Sequence, residues 1–297
     1  MLVCQFDHST KIKCGPSLVV IMGTEVFDGS SSTHVSVPAA HLLHMVGRCG
    51  NSSGGGTCLV LCYHSRRDYL RRLLSEPLPI ESHLDTHLHD PLNSEVVNQP
   101  VGSMQDAVDY MTWTFLYRRL ANNPTYYGLQ STSNTQLSEH LSEMVEAVVS
   151  DLEESRCCDV SDDGMVTPLN LGMIASYYLV QYKTIELMAA SVTAKTRVRG
   201  VVEILSACWE FASLTIRSGE EKSLRRLARS LVYKLSEETA FDANTKALIL
   251  LQCHFSRLSL PSELRIDQRQ VLGSSVKLIY ALVDVVSSLG YLRAVLA

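Results

Sequence analysis

Three histidines lie close together in the segment ESHLDTHLH at positions 81–89 and are the residues most suited to binding a metal. His83 and His87 are four residues apart, so a helix over 82–90 would place both on one face, as two ligands of one zinc ion require. In zinc peptidases of this pattern a general-base glutamate follows the first histidine, whereas this sequence has Leu84. A structural role for the histidines is therefore favoured, and we predict no metal site.

The nine cysteines are odd in number and scattered along the chain. This usage disfavours a disulfide framework and favours reduced thiols in the cytosol or nucleus. Cys58 and Cys62 are four apart on an expected strand and share a face, but no second pair follows at zinc-ribbon spacing. They are better explained as small apolar residues of a core.

No segment of the sequence matches a phosphate-binding loop. Neither Gly-x-x-x-x-Gly-Lys-Ser/Thr nor Gly-x-Gly-x-x-Gly occurs, and the triple glycine at 54–56 lacks the following lysine. No complete catalytic constellation is present either. The chain is therefore predicted to be a soluble intracellular binding module and not a free-standing enzyme.

Basic residues offer a surface for a polyanion. A formal net charge of −5 excludes strong nonspecific attraction of the whole molecule to polyanions but permits a local basic patch. Arg225, Arg226 and Arg229 lie close together on one expected helix and suit a phosphate backbone. A solvated helix face that pairs with Glu220 and Glu221 is an equal alternative.

The final long helix offers another surface. At helical spacing, Lys277, Tyr280 and Asp284 fall on one side of it and combine a cation, a ring able to stack and a hydrogen-bond acceptor.

Hydrophobic periodicity predicts a mainly α-helical chain with a small α/β part. Strands are expected at 18–22 and 57–63, with helices at 38–47 and 65–74. Helices at 82–90, 103–121 and 135–155 precede a hairpin around Asp162-Asp163-Gly164, the pattern of a winged helix. Further helices are expected at 171–191, 196–207, 218–231, 242–256 and 267–289. No apolar run reaches the roughly 18 residues of a membrane span.

Several long stretches resemble one family, the large two-cassette RNA helicases of the spliceosomal U5 particle, in the Ski-like branch of superfamily 2. The matching stretches are EPLPIESHL (76–84), QDAVDY (105–110), TWTFLYRR (112–119), NPTYY (123–127), PLNLGMI (168–174), TIEL (184–187), QCHFSRL (252–258) and DVVSSLGYL (284–292). These stretches are spread over residues 76–292, and the resemblance as a whole extends over nearly the whole chain.

The resemblance implies three domains. Residues 1–76 would be the C-terminal part of a RecA-like helicase domain, 77–168 a winged helix, and 169–297 a Sec63-like helical bundle truncated at its C-terminus. In this family a long bundle helix acts as a ratchet along single-stranded RNA. Lys277 and Tyr280 are therefore the candidate contacts on that helix.

Departures from the family pattern are as informative as the matches. Helicase motif VI, Gln-x-x-Gly-Arg-x-Gly-Arg, aligns with residues 44–51, where Arg48 is retained but His44 and Asn51 replace the first Gln and the last Arg. Asparagine cannot supply the charged fork that arginine places on a γ-phosphate. The sequence therefore resembles the degenerate, C-terminal cassette of these helicases.

This resemblance predicts a non-catalytic, nuclear module for pre-mRNA splicing. Its expected partners are other helicase domains and spliceosomal proteins, with RNA as a further candidate and no membrane. No cofactor is expected for the chain alone; ATP and Mg²⁺ would bind only with an upstream RecA-like domain.

Two alternatives remain open. The chain could be one piece of an active ATP-dependent RNA helicase, or a Sec63-like module of a translocation factor.

Overall fold

The structure is a computed structural model that describes residues 2–11, 14–28, 33–50, 55–76, 80–129, 133–217, 219–235 and 242–291. The chain divides into two compact units, residues 1–80 and 81–297. Each unit is described by itself.

The first unit is a small α/β arrangement. Its elements are β1 (Leu18–Met22), β2 (Glu25–Asp28), β3 (Thr33–Ser36), α1 (Ala39–Val46), β4 (Thr57–Leu61) and α2 (Arg67–Ser75), with 3-10 turns at Phe6–Lys11 and His64–Arg66. β1 and β4 pair in parallel, from Leu18 opposite Thr57 to Met22 opposite Leu61. The predicted strand–helix–strand–helix order is confirmed. The antiparallel hairpin of β2 and β3 was not predicted, because its four-residue strands lack a clear apolar alternation.

The two faces of the β1–β4 sheet differ. Successive strand residues point to opposite faces, and on one face Ile21 packs with Leu42 of α1 and with Leu70 and Leu73 of α2 in a buried cluster. The opposite face carries five exposed apolar side chains, which we call the open sheet face: Leu18, Val20, Met22, Leu59 and Leu61. Parallel sheets are normally covered on both faces.

The second unit begins with a winged helix. Its elements are α3 (His89–Val97), α4 (Met104–Thr112), α5 (Phe115–Asn122), α6 (Asn134–Glu154), β5 (Cys158–Val160) and β6 (Val166–Pro168). The hairpin turns at Gly164, whose φ of 74° suits glycine, and this confirms the Asp-Gly signal. The buried side of α6 carries Leu137, Leu141, Val145, Val148, Val149 and Leu152.

Two helix predictions in this region were wrong. The helix predicted at 82–90 is not formed as one element: Leu84–Thr86 is a 3-10 turn, and the α-helix begins only at His89. Just before this turn the Tyr127 hydroxyl accepts a hydrogen bond from the Ser82 amide at 2.9 Å, which ties the segment to a residue outside it. The predicted helix 103–121 is two helices, because the Thr114 hydroxyl donates to the Met111 carbonyl at 2.6 Å and ends α4.

The rest of the unit is a helical bundle. It consists of α7 (Asn170–Tyr178), α8 (Tyr182–Ser191), α9 (Val198–Ser206), α10 (Glu220–Arg229), α11 (Ala243–Phe255) and α12 (Ser262–Ser288), with 3-10 turns in the unit at Leu84–Thr86, Pro124–Tyr127 and Trp209–Phe211. The predicted helix 171–191 is broken between α7 and α8, where Leu179 adopts a left-handed φ of 51°.

The longest helix of the bundle, α12, starts five residues earlier than predicted. Of the described helices it alone has the length and apolar composition to cross a membrane, with a mean hydropathy of 1.5, although no such run was predicted. A row of its side chains is buried against the other bundle helices: Leu264, Val271, Leu278, Ala281, Leu282, Val285 and Val286. α12 is therefore apolar because one of its sides lies in the core of the bundle.

Four buried or half-buried charges tie α12 to its neighbours. Lys246 of α11 is fully buried, and its Nζ lies 2.8 Å from Glu220 Oε2 and 2.7 Å from Asp267 Oδ2 of α12. Arg217 completes the group at 2.7 Å from Asp267 Oδ1 and 3.3 Å from Glu220 Oε1. We call these residues the charge cluster. Two cations and two carboxylates leave it neutral, the condition under which charges tolerate burial.

The winged helix and the bundle are joined by direct contacts. The buried Asn93 side chain donates to the Gly172 carbonyl at 3.0 Å, and Asp90 accepts from the amide of Tyr182, the first residue of α8, at 2.8 Å. The His89 ring stacks on Tyr182 at 4.9 Å. These contacts fix α7 and α8 against α3.

The close approach at Gly172 gives a first prediction. A Cβ there would lie 2.7 Å from Asn93 Oδ1 and closer still to the Cys157 carbonyl. Gly172→Ala is therefore expected to lower the free energy of unfolding by roughly 1–3 kcal/mol, measured by urea denaturation. The matched control is Gly273→Ala in α12, where a Cβ meets nothing within 4 Å. It should raise the free energy of unfolding by up to about 1 kcal/mol, and equal effects of the two changes would contradict the assigned packing.

The charge cluster gives a second prediction. Lys246→Met leaves the Glu220 and Asp267 carboxylates buried with only Arg217 between them, and should lower the free energy of unfolding by about 3–5 kcal/mol. Lys222→Met, at an exposed site on α10, should change it by no more than about 0.5 kcal/mol. A Lys246→Met protein as stable in urea as the parent would show that the cluster does not hold the bundle together.

Candidate nucleic-acid interface

The exposed side of α12 carries a row of residues that we call the α12 stripe: Arg269, Gly273, Val276, Lys277 and Tyr280. Steps of three and four residues keep this row on one helix face. At 1.5 Å per residue it runs about 16 Å from Arg269 to Tyr280. Lys277 is half-buried, whereas the other four are exposed. The stripe alternates cations with flat or apolar groups.

Lys277 has a defined position in the stripe. Its Nζ donates a hydrogen bond to the Leu179 carbonyl at 3.0 Å, across the break between α7 and α8. A lysine ammonium has three donors, so two remain for an anion at the surface. The contact fixes the cation one helical turn from Tyr280.

The acidic neighbour of the stripe is engaged by α7. The Tyr178 hydroxyl donates to Asp284 Oδ2 at 2.7 Å. This hydrogen bond, followed by burial and the charge of Asp284, raises the pKa of Tyr178 to about 12. The hydroxyl therefore stays protonated near neutral pH and remains a donor to the carboxylate. Asp284 thus lies beside the stripe with one of its oxygens occupied.

The second predicted basic surface lies on α10. Arg225, Arg226 and Arg229 are all exposed on this helix, while Leu224 and Leu227 face the core. Arg225 pairs loosely with Glu221 at 4.0 Å. In the described part of the chain, neither Arg226 nor Arg229 forms an ion pair with a carboxylate.

The alternative that these arginines pair with Glu220 and Glu221 holds for Glu221, which lies 4.0 Å from Arg225, and is wrong for Glu220. Glu220 is buried in the charge cluster, where its partners are Lys246 and Arg217. Glu220 therefore does not neutralise Arg226 or Arg229.

The stretch 44–51, which the resemblance aligns with helicase motif VI, belongs to the first unit. His44 is on α1 and Arg48 is in the turn after it, and Arg48 Nη2 is 2.8 Å from His44 Nε2. Part of the guanidinium is thus directed at the residue that replaces the motif glutamine. Asn51 and Gly54 lie outside the described residues.

The helix that would have aligned His83 and His87 is absent, since only Leu84–Thr86 is helical there. Among the described residues, no group of three or more His, Cys, Asp or Glu side chains is arranged to hold a metal.

Cys4 and Cys14 are exposed, whereas the other cysteines are half-buried or buried. Cys58 and Cys62 are half-buried against the core of the first unit, in agreement with a packing role. In the second unit, burial raises the pKa of Cys157 and of Cys208 to about 12. These thiols stay protonated near neutral pH and are poor nucleophiles.

Two residues of this interface were missed by the sequence analysis. Arg269 lies eight residues before Lys277 on the same helix face, and that spacing alone could have identified it. Tyr177 comes from α7 and reaches the surface near α12 because the helix stops at Leu179. No local signal marks that break.

Comparison with known protein domains agrees with this architecture. Residues 81–162 match the model of a winged helix-turn-helix domain, and residues 168–297 match that of the Sec63 Brl domain.

Relatives match the chain almost from end to end. It is 46% identical over 94% of its length to the U5 small nuclear ribonucleoprotein 200 kDa helicases of Homo sapiens and Drosophila melanogaster. It is 45% identical, also over 94%, to the DExH-box ATP-dependent RNA helicase DExH12 of Arabidopsis thaliana. The chain spans 13% of the length of each of these relatives. The chain belongs to the family of the U5 small nuclear ribonucleoprotein 200 kDa helicase, and corresponds to a C-terminal region of it that includes a winged helix and a Sec63 Brl domain.

Proposed function

We propose that the chain is a non-catalytic helicase-cassette module that binds proteins and guides single-stranded RNA during pre-mRNA splicing in the nucleus. The observation that carries the proposal is the α12 stripe, a row of cations and a tyrosine on the exposed side of a helix that the charge cluster fixes in place. The names of the relatives, a small nuclear ribonucleoprotein helicase and an RNA helicase, support RNA as the ligand.

The chemistry of the stripe suits a single strand. Cations bind the phosphate backbone irrespective of sequence, and exposed aromatic rings stack with unpaired bases. Arg269 and Lys277 supply the charges, and Tyr280 supplies a ring that is 60% exposed. Arg225, Arg226 and Arg229 of α10 form a second cationic surface that could extend the RNA contact.

A different surface suits a protein partner. The open sheet face of the first unit exposes five large apolar side chains on a parallel strand pair. Such a face is normally covered, and contiguous exposed apolar area marks an interaction site. The partner that we propose is another helicase domain, which would cover this exposed face of the β1–β4 sheet.

The proposal of a non-catalytic role rests on two features of the sequence elements that bind ATP in helicases. The sequence has no phosphate loop, and Arg48 is the one motif VI arginine that remains, with its guanidinium beside His44. The module is proposed to need no cofactor. ATP and Mg²⁺ would be bound only together with a RecA-like domain preceding it.

The second candidate function is a part of an active ATP-dependent RNA helicase. The retained Arg48 and the name of the Arabidopsis relative favour it. A Sec63-like translocation module is a weaker candidate, because the winged helix-turn-helix match at 81–162 points to the helicase line.

RNA binding by the stripe is tested by its salt dependence. The affinity for a fluorescein-labelled 12-nucleotide oligouridine, measured by anisotropy, should fall as salt rises, with a logarithmic slope of about 0.7 for each phosphate contacted. Lys277→Ala should lower that slope by about 0.7. Tyr280→Ala should weaken binding roughly tenfold and leave the slope unchanged.

The charge-matched control is Lys195→Ala, at an exposed loop position outside both basic surfaces, which should leave the affinity and slope unchanged. If Arg226→Ala and Arg229→Ala lose binding and Lys277→Ala keeps it, the RNA-binding surface is on α10 and not on α12. Absence of any salt-dependent binding would leave protein binding as the remaining role.

ATP turnover distinguishes the two leading candidates. The purified chain should release no phosphate from ATP above background, with or without oligouridine. The sequence has neither a phosphate loop nor the second arginine of motif VI to bind the γ-phosphate. Hydrolysis that Arg48→Ala abolishes would refute the non-catalytic proposal and establish the enzyme candidate. Arg66→Ala, elsewhere in the first unit, controls for a contaminating ATPase.

A further inference from the structure

A second tyrosine is exposed close to the α12 stripe. Tyr177, in the last turn of α7, is 81% exposed, more than Tyr280 at 60%. The next residues explain why the ring lies at the surface. The helix ends at Tyr178, and Leu179 turns the chain away in a left-handed conformation.

Tyr178 links the two exposed rings. It packs edge-on against Tyr177, with the ring centroids 4.9 Å apart, and its hydroxyl donates to Asp284, one turn after Tyr280 on α12. Tyr178 is also close enough to Tyr280 for the two hydroxyls to interact electrostatically. Leu179 is in turn held by Lys277. The end of α7 is therefore fixed beside Tyr280 at two points, Lys277 and Asp284.

This arrangement of two exposed rings beside a cation suits the binding of single-stranded RNA. Single exposed aromatic residues are ordinary on protein surfaces, but here two helices bring two rings beside a lysine whose remaining N–H donors are available. The nearest carboxylate, Asp284, accepts a hydrogen bond from Tyr178, which reduces its repulsion of a phosphate. Tyrosine rings stack on any base, so such a site is tolerant of sequence.

We propose that Tyr177 and Tyr280 form a two-ring platform on which successive bases of single-stranded RNA stack, while Lys277 and Arg269 contact the phosphates. Tyr178 is a positioning residue, since its ring packs against Tyr177 and its hydroxyl donates to Asp284. This inference rests on the proposed RNA-guiding function and adds α7 to the RNA-binding surface.

The test compares Tyr177→Ala with Tyr177→Phe in the full chain, with the same oligouridine. Tyr177→Ala should weaken binding roughly 5- to 100-fold at constant salt slope, since a stacking contact is lost and no charge is. Tyr177→Phe keeps the ring and should bind within about twofold of the parent. An oligonucleotide with a central 2-aminopurine, quenched on stacking, should lose its quenching with the alanine variant and keep it with phenylalanine.

Trp113→Ala is the matched control, because Trp113 is an exposed aromatic residue of the winged helix outside the platform, and it should leave binding and quenching unchanged. If Tyr280→Ala weakens binding but Tyr177→Ala does not, the platform is refuted while RNA guiding by α12 stands. If the parent chain binds no oligouridine, the proposed RNA-guiding role fails and the platform fails with it.

Discussion

A buried lysine, with a half-buried arginine and two buried carboxylates, determines how the bundle presents its longest helix. Lys246 is surrounded by protein on all sides, and its charge is tolerated only because Glu220 and Asp267 lie within 2.8 Å of it. Arg217 then balances the second carboxylate. Because these residues come from α10, α11, α12 and the loop before α10, all four must meet at one place. Asp267 is thereby fixed toward the interior, which fixes the rotation of α12 about its axis.

That rotation divides α12 into two chemically different sides. With Asp267 inward, the helical period carries Val271, Leu278 and Val285 into the core. The same period turns Arg269 and Tyr280 outward. A slip of the helix by one residue would rotate every side chain by about 100°, which would turn the stripe toward the bundle and the core row toward its edge. The surface proposed for RNA is thus a consequence of a buried electrostatic constraint.

The sequence predicts those helices and strands that are determined by residues close to one another in the chain. Apolar periodicity located the β1–α1–β4 order, α6 and α11 within a few residues, and the family resemblance anticipated the winged helix and the bundle. Predictions failed where distant residues decide the backbone. Ser82 is held by a hydroxyl 45 positions away, and the Leu179 carbonyl by a lysine 98 positions away. Glu220 was taken for a surface partner because its burial arises only when α11 and α12 pack around it.

The two proposed surfaces obey different physics, so each suits a different kind of partner. The open sheet face consists of apolar side chains, and binding there gains free energy from removing them from water. That contribution is not weakened by added salt. The α12 stripe depends on charge, so its affinity falls as counterions accumulate. The surfaces also lie in separate compact units. Raised ionic strength should therefore weaken the proposed RNA contact and leave the proposed protein contact in place, so the two proposals can be tested separately in one protein.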